Sequence, residues 1–404
     1  MRRLLLSVAL TAAAGTVLAN PAYALTTRGD SAADLTGRYV VVLRPGATAA
    51  LNPLVGLAER LGADVGPVYR HALTGFAASL PAAALPVLKA NPAVAYIERD
   101  LPVRVNVSQP KAVWGLDRTD QRALPLDRTF SYQATGAGVT AYIVDTGILL
   151  SHREFAGRAV RGFDAVTPNG SAVDCNGHGT HVAGTVGGST YGVAKAVRLV
   201  AVRVLDCKGA GATSAVIAGV DWVTAHHRPG QPAVANMSLG GGVSRALDDA
   251  VARSISDGIT YAVAAGNGNK LGMAEDACST SPGRLDAAIT VAASDITDKA
   301  ASFSNYGRCV DLYAPGVGIT SAWFTSPTAT KDLDGTSMAT PHVAGVAAMV
   351  LQRSPRATPQ QVRDRIVSTA TPNAVTGSAS GGGLLGLGGS QQALPNNRLL
   401  HSAG

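Results

Sequence analysis

Aromatic and charged residues are both scarce in this 404-residue chain, at 5% and 15%, and only 6 phenylalanines occur. Low charge beside 46% apolar residues excludes a disordered solvating segment, which needs the opposite balance. A concentrated basic run is missing too. The net charge of +7 is spread along the chain: Arg2 and Arg3 lie at the extreme N-terminus, residues 25–106 hold eight basic and six acidic groups, and the segment from 107 holds 24 and 21. Nucleic-acid binding needs a cationic patch, so that class is set aside. No stretch reaches the about 18 apolar residues of a spanning helix, and no internal repeat occurs. What the chain has in quantity is glycine, 46 residues, as in a compact enzyme built from small side chains. Its length allows two or three domains.

Residues 1–24 read as a secretory signal peptide. Met1-Arg2-Arg3 is a positive start, Leu4 to about Ala19 is a short apolar middle, and Ala22-Tyr23-Ala24 is a small-residue cleavage site. The competing reading, a membrane anchor, is disfavoured by the shortness and alanine content of the run. An exported, soluble, extracellular protein is expected, with no membrane anchor and no second subunit. In an oxidising compartment the four cysteines, Cys175, Cys207, Cys278 and Cys309, suggest two disulfides, although four allow three pairings. The separations favour Cys175–Cys207 and Cys278–Cys309, each worth roughly 2–4 kcal/mol. A zinc site is the alternative, and no C-x-x-C spacing supports it.

Residues 25–106 form a small α+β unit in this reading: a β-rich run Gly37–Leu43 closed by Pro45-Gly46, a helix over Leu51–Leu61, a strand through Gly75–Leu80, a helix around Ala82–Lys89 and a strand at Ala93–Glu98. Val103 to Pro110 reads as an exposed linker. From about 113 the pattern becomes apolar strands alternating with helices. Strands are expected at Val139–Val144, Leu199–Leu205, Ala233–Met237, Thr260–Ala265 and Ile289–Ala292. Helices are expected at His181–Val186, Ser214–His226, Ala246–Asp257, Met338–Gln352 and Pro359–Thr369. Apolar strands without alternation argue for a parallel sheet covered on both faces, whose chemistry belongs at the carboxyl ends of the strands. Ser378–Ser390, rich in glycine, reads as a surface loop.

Four polar residues interrupt apolar segments at such places. Asp145 ends Ala141-Tyr142-Ile143-Val144; a carboxylate there is costly to desolvate without a partner, and an imidazole is one. His178 lies between Gly177 and Gly179, where other groups approach the ring closely. Ser337, in Gly335-Thr336-Ser337-Met338-Ala339, opens an apolar helix whose dipole favours negative charge nearby. Asn267, closing Ala264-Ala265-Gly266-Asn267, offers an amide to a developing oxyanion. Singly, each is equally a turn former, a cap or a structural histidine. Together, one face of one sheet can hold them, and the order Asp, His, Ser is that of subtilisin. An α/β-hydrolase would need Ser first and a G-x-S-x-G elbow, which is missing. His178 and His181 are three apart, a conceivable metal pair, but no H-E-x-x-H pattern accompanies them.

Val144-Asp145-Thr146-Gly147, His178-Gly179-Thr180-His181, Ala265-Gly266-Asn267 and Gly335-Thr336-Ser337-Met338-Ala339-Thr340-Pro341-His342 resemble the four blocks of subtilisin-like serine proteases, most closely the proteinase K branch and aqualysin. Trp114-Gly115-Leu116-Asp117, Asp174-Cys175-Asn176-Gly177, Asn236-Met237-Ser238-Leu239-Gly240-Gly241 and Ser302-Phe303-Ser304-Asn305-Tyr306-Gly307 support the resemblance, which runs from about 111 to the end. It implies a three-layer, doubly wound, mainly parallel α/β catalytic domain over 107–404. Residues 25–106 resemble the family's inhibitory, folding-assisting propeptide.

By this resemblance Ser337 attacks the peptide carbonyl, His178 takes its proton, Asp145 orients His178, and the Asn267 amide with the Ser337 N–H holds the oxyanion. Gly209-Ala210-Gly211 and Ser238-Leu239-Gly240 resemble segments that clasp a polypeptide substrate as an added strand, with Ala265 and Gly266 alongside. The specificity implied is broad, with apolar or aromatic side chains tolerated at the scissile position. The loop Gly268–Asp276 is longer than the family's. Structural Ca²⁺ is implied at Asp311, with carbonyls near Asp286 and Ala288, and at Asp117, Asp120, Gln121, Asp127 and Thr129, whose hard oxygens suit it; the chemistry itself needs no cofactor. A secreted endopeptidase that cuts its own precursor near 104–108 is the leading expectation. A metal hydrolase using His178 and His181, a dead scaffold and an esterase are the alternatives.

Overall fold

The structure, a computed structural model, describes residues 37–100, 107–269, 273–377 and 394–402. The signal-peptide segment, the Ser378–Ser390 stretch and the first part of the expected linker lie outside the described residues. The chain divides into two compact units, Met1–Arg104 and Val105–Gly404.

The first unit holds β1 (Arg38–Leu43), α1 (Leu51–Arg60), β2 (Asp64–Tyr69), β3 (Gly75–Ser79), α2 (Ala84–Lys89) and β4 (Val94–Arg99). Its four strands run antiparallel in the order β2-β3-β1-β4. Val41 pairs with Phe76 on one side and Ile97 on the other. Leu51, Leu54 and Ala58 recur at helical spacing and close on Val41, Leu43 and Phe76 to make one small core. β2, carrying Gly66 and Pro67 and half exposed at the sheet edge, has no apolar alternation and escapes sequence reading.

The second unit contains, in order, β5 (Val107–Pro110), α3 (Trp114–Asp120), β6 (Thr129–Tyr132), β7 (Thr140–Asp145), β8 (Ala159–Asp164), α4 (His178–Gly187), β9 (Arg198–Arg203), α5 (Thr213–His226), β10 (Ala233–Met237), β11 (Gly241–Gly242), α6 (Arg245–Ser256) and β12 (Thr260–Ala264). There follow β13 (Thr280–Ser281), β14 (Ile289–Ser294), β15 (Leu312–Pro315), β16 (Ile319–Ala322), β17 (Thr330–Leu333), α7 (Thr336–Arg353), α8 (Pro359–Thr369), β18 (Thr371–Pro372) and β19 (Arg398–Leu399). Nine strands form one sheet in the order β18-β19-β15-β14-β12-β10-β7-β9-β8, parallel throughout except for β18 against β19.

Both faces of that sheet are covered, and β7 shows how. Ala141 and Ile143 point into a core shared with Val182 and Val186 of α4 and with Val343 and Ala344 of α7. Tyr142 and Val144 point the other way, into a core shared with Val216 and Val220 of α5 and with Leu247 and Val251 of α6. A strand buried on both faces reads as an unbroken apolar run, the pattern found in the sequence. β8, an edge strand broken at Gly162 by a register shift between Arg161 and Phe163, and β15, four residues ending in Pro315, lack that signature and were not anticipated. The linker reading needs correction: Val107–Pro110 is a strand, pairing antiparallel with β6 from Val107↔Tyr132 to Pro110↔Thr129.

Candidate active site

Along the sheet β7 lies between β9 and β10, so successive crossovers leave it on opposite sides and open a crevice beyond the carboxyl ends. Asp145 is the last residue of β7, Asn267 follows β12, and His178 and Ser337 are the first and second residues of α4 and α7. One crevice therefore receives all four.

Asp145 is fully buried. Its Oδ1 accepts from its neighbour's amide, Thr146 N, at 2.7 Å, and its carboxylate accepts from His178 Nδ1 at 2.8 and 3.0 Å. Nδ1–H donating to Asp145 leaves Nε2 as the acceptor of a neutral ring, and the ring is 26% exposed. Burial pushes the His178 pKa down, but the Asp145 charge, its hydrogen bond and the Asp174 charge together raise it above the ordinary value.

Asp174, named in the sequence only as part of a supporting block, builds the frame for that pair. Its Oδ1 accepts from Thr146 Oγ1, Asn176 N and Gly177 N at 2.9 Å each. Its Oδ2 accepts from Thr180 N at 2.9 Å and Thr180 Oγ1 at 2.6 Å. One carboxylate thus ties the end of β7 to the N-terminus of α4, satisfying orphan donors there. Asp174→Asn removes a charge that raises the His178 pKa. The acid limb of a kcat/KM–pH profile is therefore expected to move to lower pH, with turnover reduced several-fold. An unmoved limb at reduced rate would leave Asp174 a purely structural cap.

Ser337 gives its hydroxyl to the Ser238 carbonyl at 3.1 Å; among the described residues no hydrogen bond joins it to His178. Four residues on, Pro341 has no N–H, so the Ser337 carbonyl lacks its helical partner. The Ser238 hydroxyl fills the gap at 2.7 Å, supported by Asn236 Nδ2 at 3.0 Å. Asn267 accepts from both Thr336 N and Thr336 Oγ1 at 2.8 Å through Oδ1, which fixes the amide and turns Nδ2 away from Thr336. A Cβ built on Gly335, whose φ is +151°, would lie 3.4 Å from Asn267 Nδ2 and 3.5 Å from Ser337 N. The two donors border the space that a Cβ there would enter, and the φ at Gly335 is one that side chains rarely adopt.

Asn305 is buried and holds the segment carrying Asn267. Its Nδ2 donates to the Ala265 carbonyl at 3.0 Å, its Oδ1 accepts from Gly268 N and Glu275 N at 2.9 Å, and its own N–H donates to the Gly266 carbonyl at 2.9 Å. Such roles were invisible in sequence, because an asparagine in a loop carries no periodic signal.

A cleft of about 480 Å³ is lined by His178, Gly209, Ala210, Gly211, Ser238, Leu239 and Gly240, so the two expected clasping segments form its walls. They do not contribute alike. Gly209 N, Ala210 N and Ala210 O are engaged in a turn with Asp206, whereas the backbones of Gly211, Leu239 and Gly240 have no hydrogen-bond partner among the described residues. A second cavity, about 360 Å³, adjoins the first along Leu239–Gly242 and reaches Gly266, Asn267 and Ser337. Ala265 lies buried beneath it.

The remaining candidates behave differently. His181 is buried and its Nε2 donates to the carbonyls of Ile319 and Lys331 at 2.9 and 3.0 Å. Burial drives its pKa down to about 4, and it does not join His178 at a metal; among the described residues no three histidine, cysteine or acidic side chains gather around one ion. Asp311 fits calcium poorly, because Arg363 pairs with its Oδ1 and Thr290 N donates to Oδ2 at 2.8 Å. In the other set, Gln121 accepts from Asp127 N and Asp127 from Thr129 N. Asp117 and Asp120, in contrast, each leave Oδ1 buried without a partner among the described residues, an arrangement that suits a hard cation. Burial raises the pKa of both, to about 6 at Asp120. Disulfides join Cys175 to Cys207 and Cys278 to Cys309; the first links the His178 loop to the arm carrying Gly209.

Residues 136–388 match the Subtilase family and residues 38–106 the peptidase inhibitor I9 family. The chain is 56% identical over 361 residues to an extracellular serine proteinase of Thermus sp. (strain Rt41A), covering 84% of this chain and 86% of that one. It is 51% identical over 319 residues to alkaline serine exoprotease A of Vibrio alginolyticus, covering 78% of this chain and 58% of that one. A crystal structure of a cold-adapted subtilisin-like serine proteinase superimposes with a TM-score of 0.66 at 50% identity, covering 73% of this chain and 99% of that one. With the family match running over residues 136–388 and an inhibitor-family match ahead of it, the chain belongs to the subtilase family of serine proteinases.

Proposed function

We propose that the chain is an exported serine endopeptidase of broad specificity, made as a precursor whose residues 25–106 are removed by its own catalytic domain, and that Asp145, His178 and Ser337 are its catalytic triad. The observation that carries this reading is the buried Asp145 carboxylate on His178 Nδ1 at 2.8 Å, in the same crevice as Ser337 and the Asn267 amide. As a substrate enters, the Ser337 hydroxyl turns from Ser238 O to His178 Nε2. Oγ then bonds to the carbonyl carbon, its proton passes to Nε2, and Asp145 stabilises the imidazolium. The oxyanion takes the space between Asn267 Nδ2 and Ser337 N. The C–N bond breaks as Nε2 returns the proton to the leaving amine, and water repeats the sequence to release the acid. Unpaired backbone at Gly211, Leu239 and Gly240 lets the substrate add as a strand, bound through its main chain with little sequence preference. A fluorophosphonate is expected to add one phosphonyl group to Ser337 and end peptide hydrolysis. Modification elsewhere, or activity surviving full labelling, overturns the assignment.

Calcium, in this reading, is structural and held through Asp117 and Asp120, where it compensates two buried carboxylates. Adding a chelator is expected to lower the Tm of the mature protein by several degrees, about what 1–2 kcal/mol produces in a domain this size. Asp120→Asn should abolish most of that difference; a Tm indifferent to chelation in the unaltered protein removes the site.

A further inference from the structure

The cavity beside Ser337 is walled mainly by small residues, among them Gly240, Gly266, Gly268, Ser279 and Thr280, and Glu275 is the one charged residue among the described residues that line it. Its backbone is pinned on both sides: Glu275 N donates to Asn305 Oδ1 at 2.9 Å and Glu275 O accepts from Tyr306 N at 3.0 Å. Asn305 also fixes Gly266 and Gly268 around Asn267, so one side chain holds Glu275 in register with the oxyanion donors. Glu275 itself is half-buried, and its carboxylate has neither a hydrogen bond nor an ion pair among the described residues. A carboxylate partly withdrawn from water with no counter-charge is an incomplete pair.

We propose that Glu275 is a specificity-determining residue, favouring substrates in which the residue donating the scissile carbonyl carries a cationic tip, lysine or arginine, and disfavouring acidic ones there. The inference rests on the proteinase reading above and narrows it at one position, leaving recognition through the substrate's main chain broad. The geometry is direct: with its carbonyl carbon at Ser337 and its oxygen between Asn267 and Ser337 N, the acyl residue lies at the mouth of this cavity. The cavity, about 360 Å³, has room for a long cationic side chain. Discrimination comes from both signs, attraction for the cation and repulsion of a second carboxylate.

The test uses the mature protein and five tetrapeptide p-nitroanilides differing only in the last residue: Phe, Leu, Lys, Arg and Glu. Glu275→Gln is expected to lower the Lys:Phe and Arg:Phe ratios of kcat/KM about two- to fivefold and to raise the Glu:Phe ratio, as expected for a partly exposed pair. Glu275→Arg should invert the order, placing Glu above Lys. The preference for Lys should weaken with added salt in the unaltered protein and not in Glu275→Gln. Ratios indifferent to both substitutions, with Phe and Leu substrates still cleaved, overturn the role of Glu275 alone. An unaltered protein that cleaves none of the five overturns the proteinase reading and this inference with it.

Discussion

Ser337→Ala is expected to keep the precursor at full length after export and to reduce peptide hydrolysis by about 10⁶, the size of the loss on removing the nucleophile of a subtilisin. The fold should survive the change. Ser337 Oγ makes one hydrogen bond, to Ser238 O at 3.1 Å, and the helix that carries it is anchored elsewhere, by Ser238 Oγ on the Ser337 carbonyl and by a buried face of Met338, Val343 and Ala344. Mass and N-terminal sequence of the secreted product, for both proteins side by side, decide the matter. Loss of about 80 residues beyond the signal peptide in the unaltered protein only establishes self-processing. Equal trimming of both places maturation with another protease, and no trimming of either means that residues 25–106 are not removed.

Gly335→Ala is expected to lower kcat by about 10²–10³ with a smaller effect on KM, the magnitude measured for one oxyanion-hole donor of a subtilisin. Two causes coincide. The backbone at φ +151° is one that a side chain rarely adopts, and the new Cβ would stand 3.4 Å from Asn267 Nδ2 and 3.5 Å from Ser337 N, where the oxyanion must fit. Because the ground-state carbonyl needs that space less than the tetrahedral intermediate does, the loss belongs in kcat. A rise in KM at unchanged kcat would mean that the methyl obstructs substrate entry instead, and that the two donors do not act on the oxyanion.

Much of this architecture was legible before any coordinates. β7, β10, β12 and β14 announce themselves as apolar runs because each is buried on both faces, and the residues that break the runs, Asp145 and Asn267, stand where a parallel sheet exposes its carboxyl ends. β2, β8 and β15 were not legible, since an edge position, a register shift or a terminal proline removes the pattern on which such reading depends. Asp174, Asn305 and Thr336 stayed hidden for another reason. Each makes a hydrogen bond to a group distant in sequence, Asp174 to the Thr146 hydroxyl, Asn305 to the Ala265 carbonyl and Thr336 to the Asn267 side chain, and composition holds no trace of a partner 28, 40 or 69 positions away. Asp311 shows the converse: a carboxylate matching a family position, whose neighbour Arg363, 52 residues later, alters what it offers to a metal.

The position of α7 sets an order of manufacture. This helix lies against the sheet through Val343, Ala344 and Ala347 and carries Ser337, yet it occupies Thr336–Arg353 of a 404-residue chain. A ribosome delivering residues from the N-terminus at about 5–20 per second releases Asp145, His178 and Asn267 well before Ser337. Their crevice meanwhile lacks both a covering helix and a hydroxyl. Until α7 is delivered the chain holds a carboxylate and an imidazole without the hydroxyl, while residues 37–100, which enclose a core of their own, are already made.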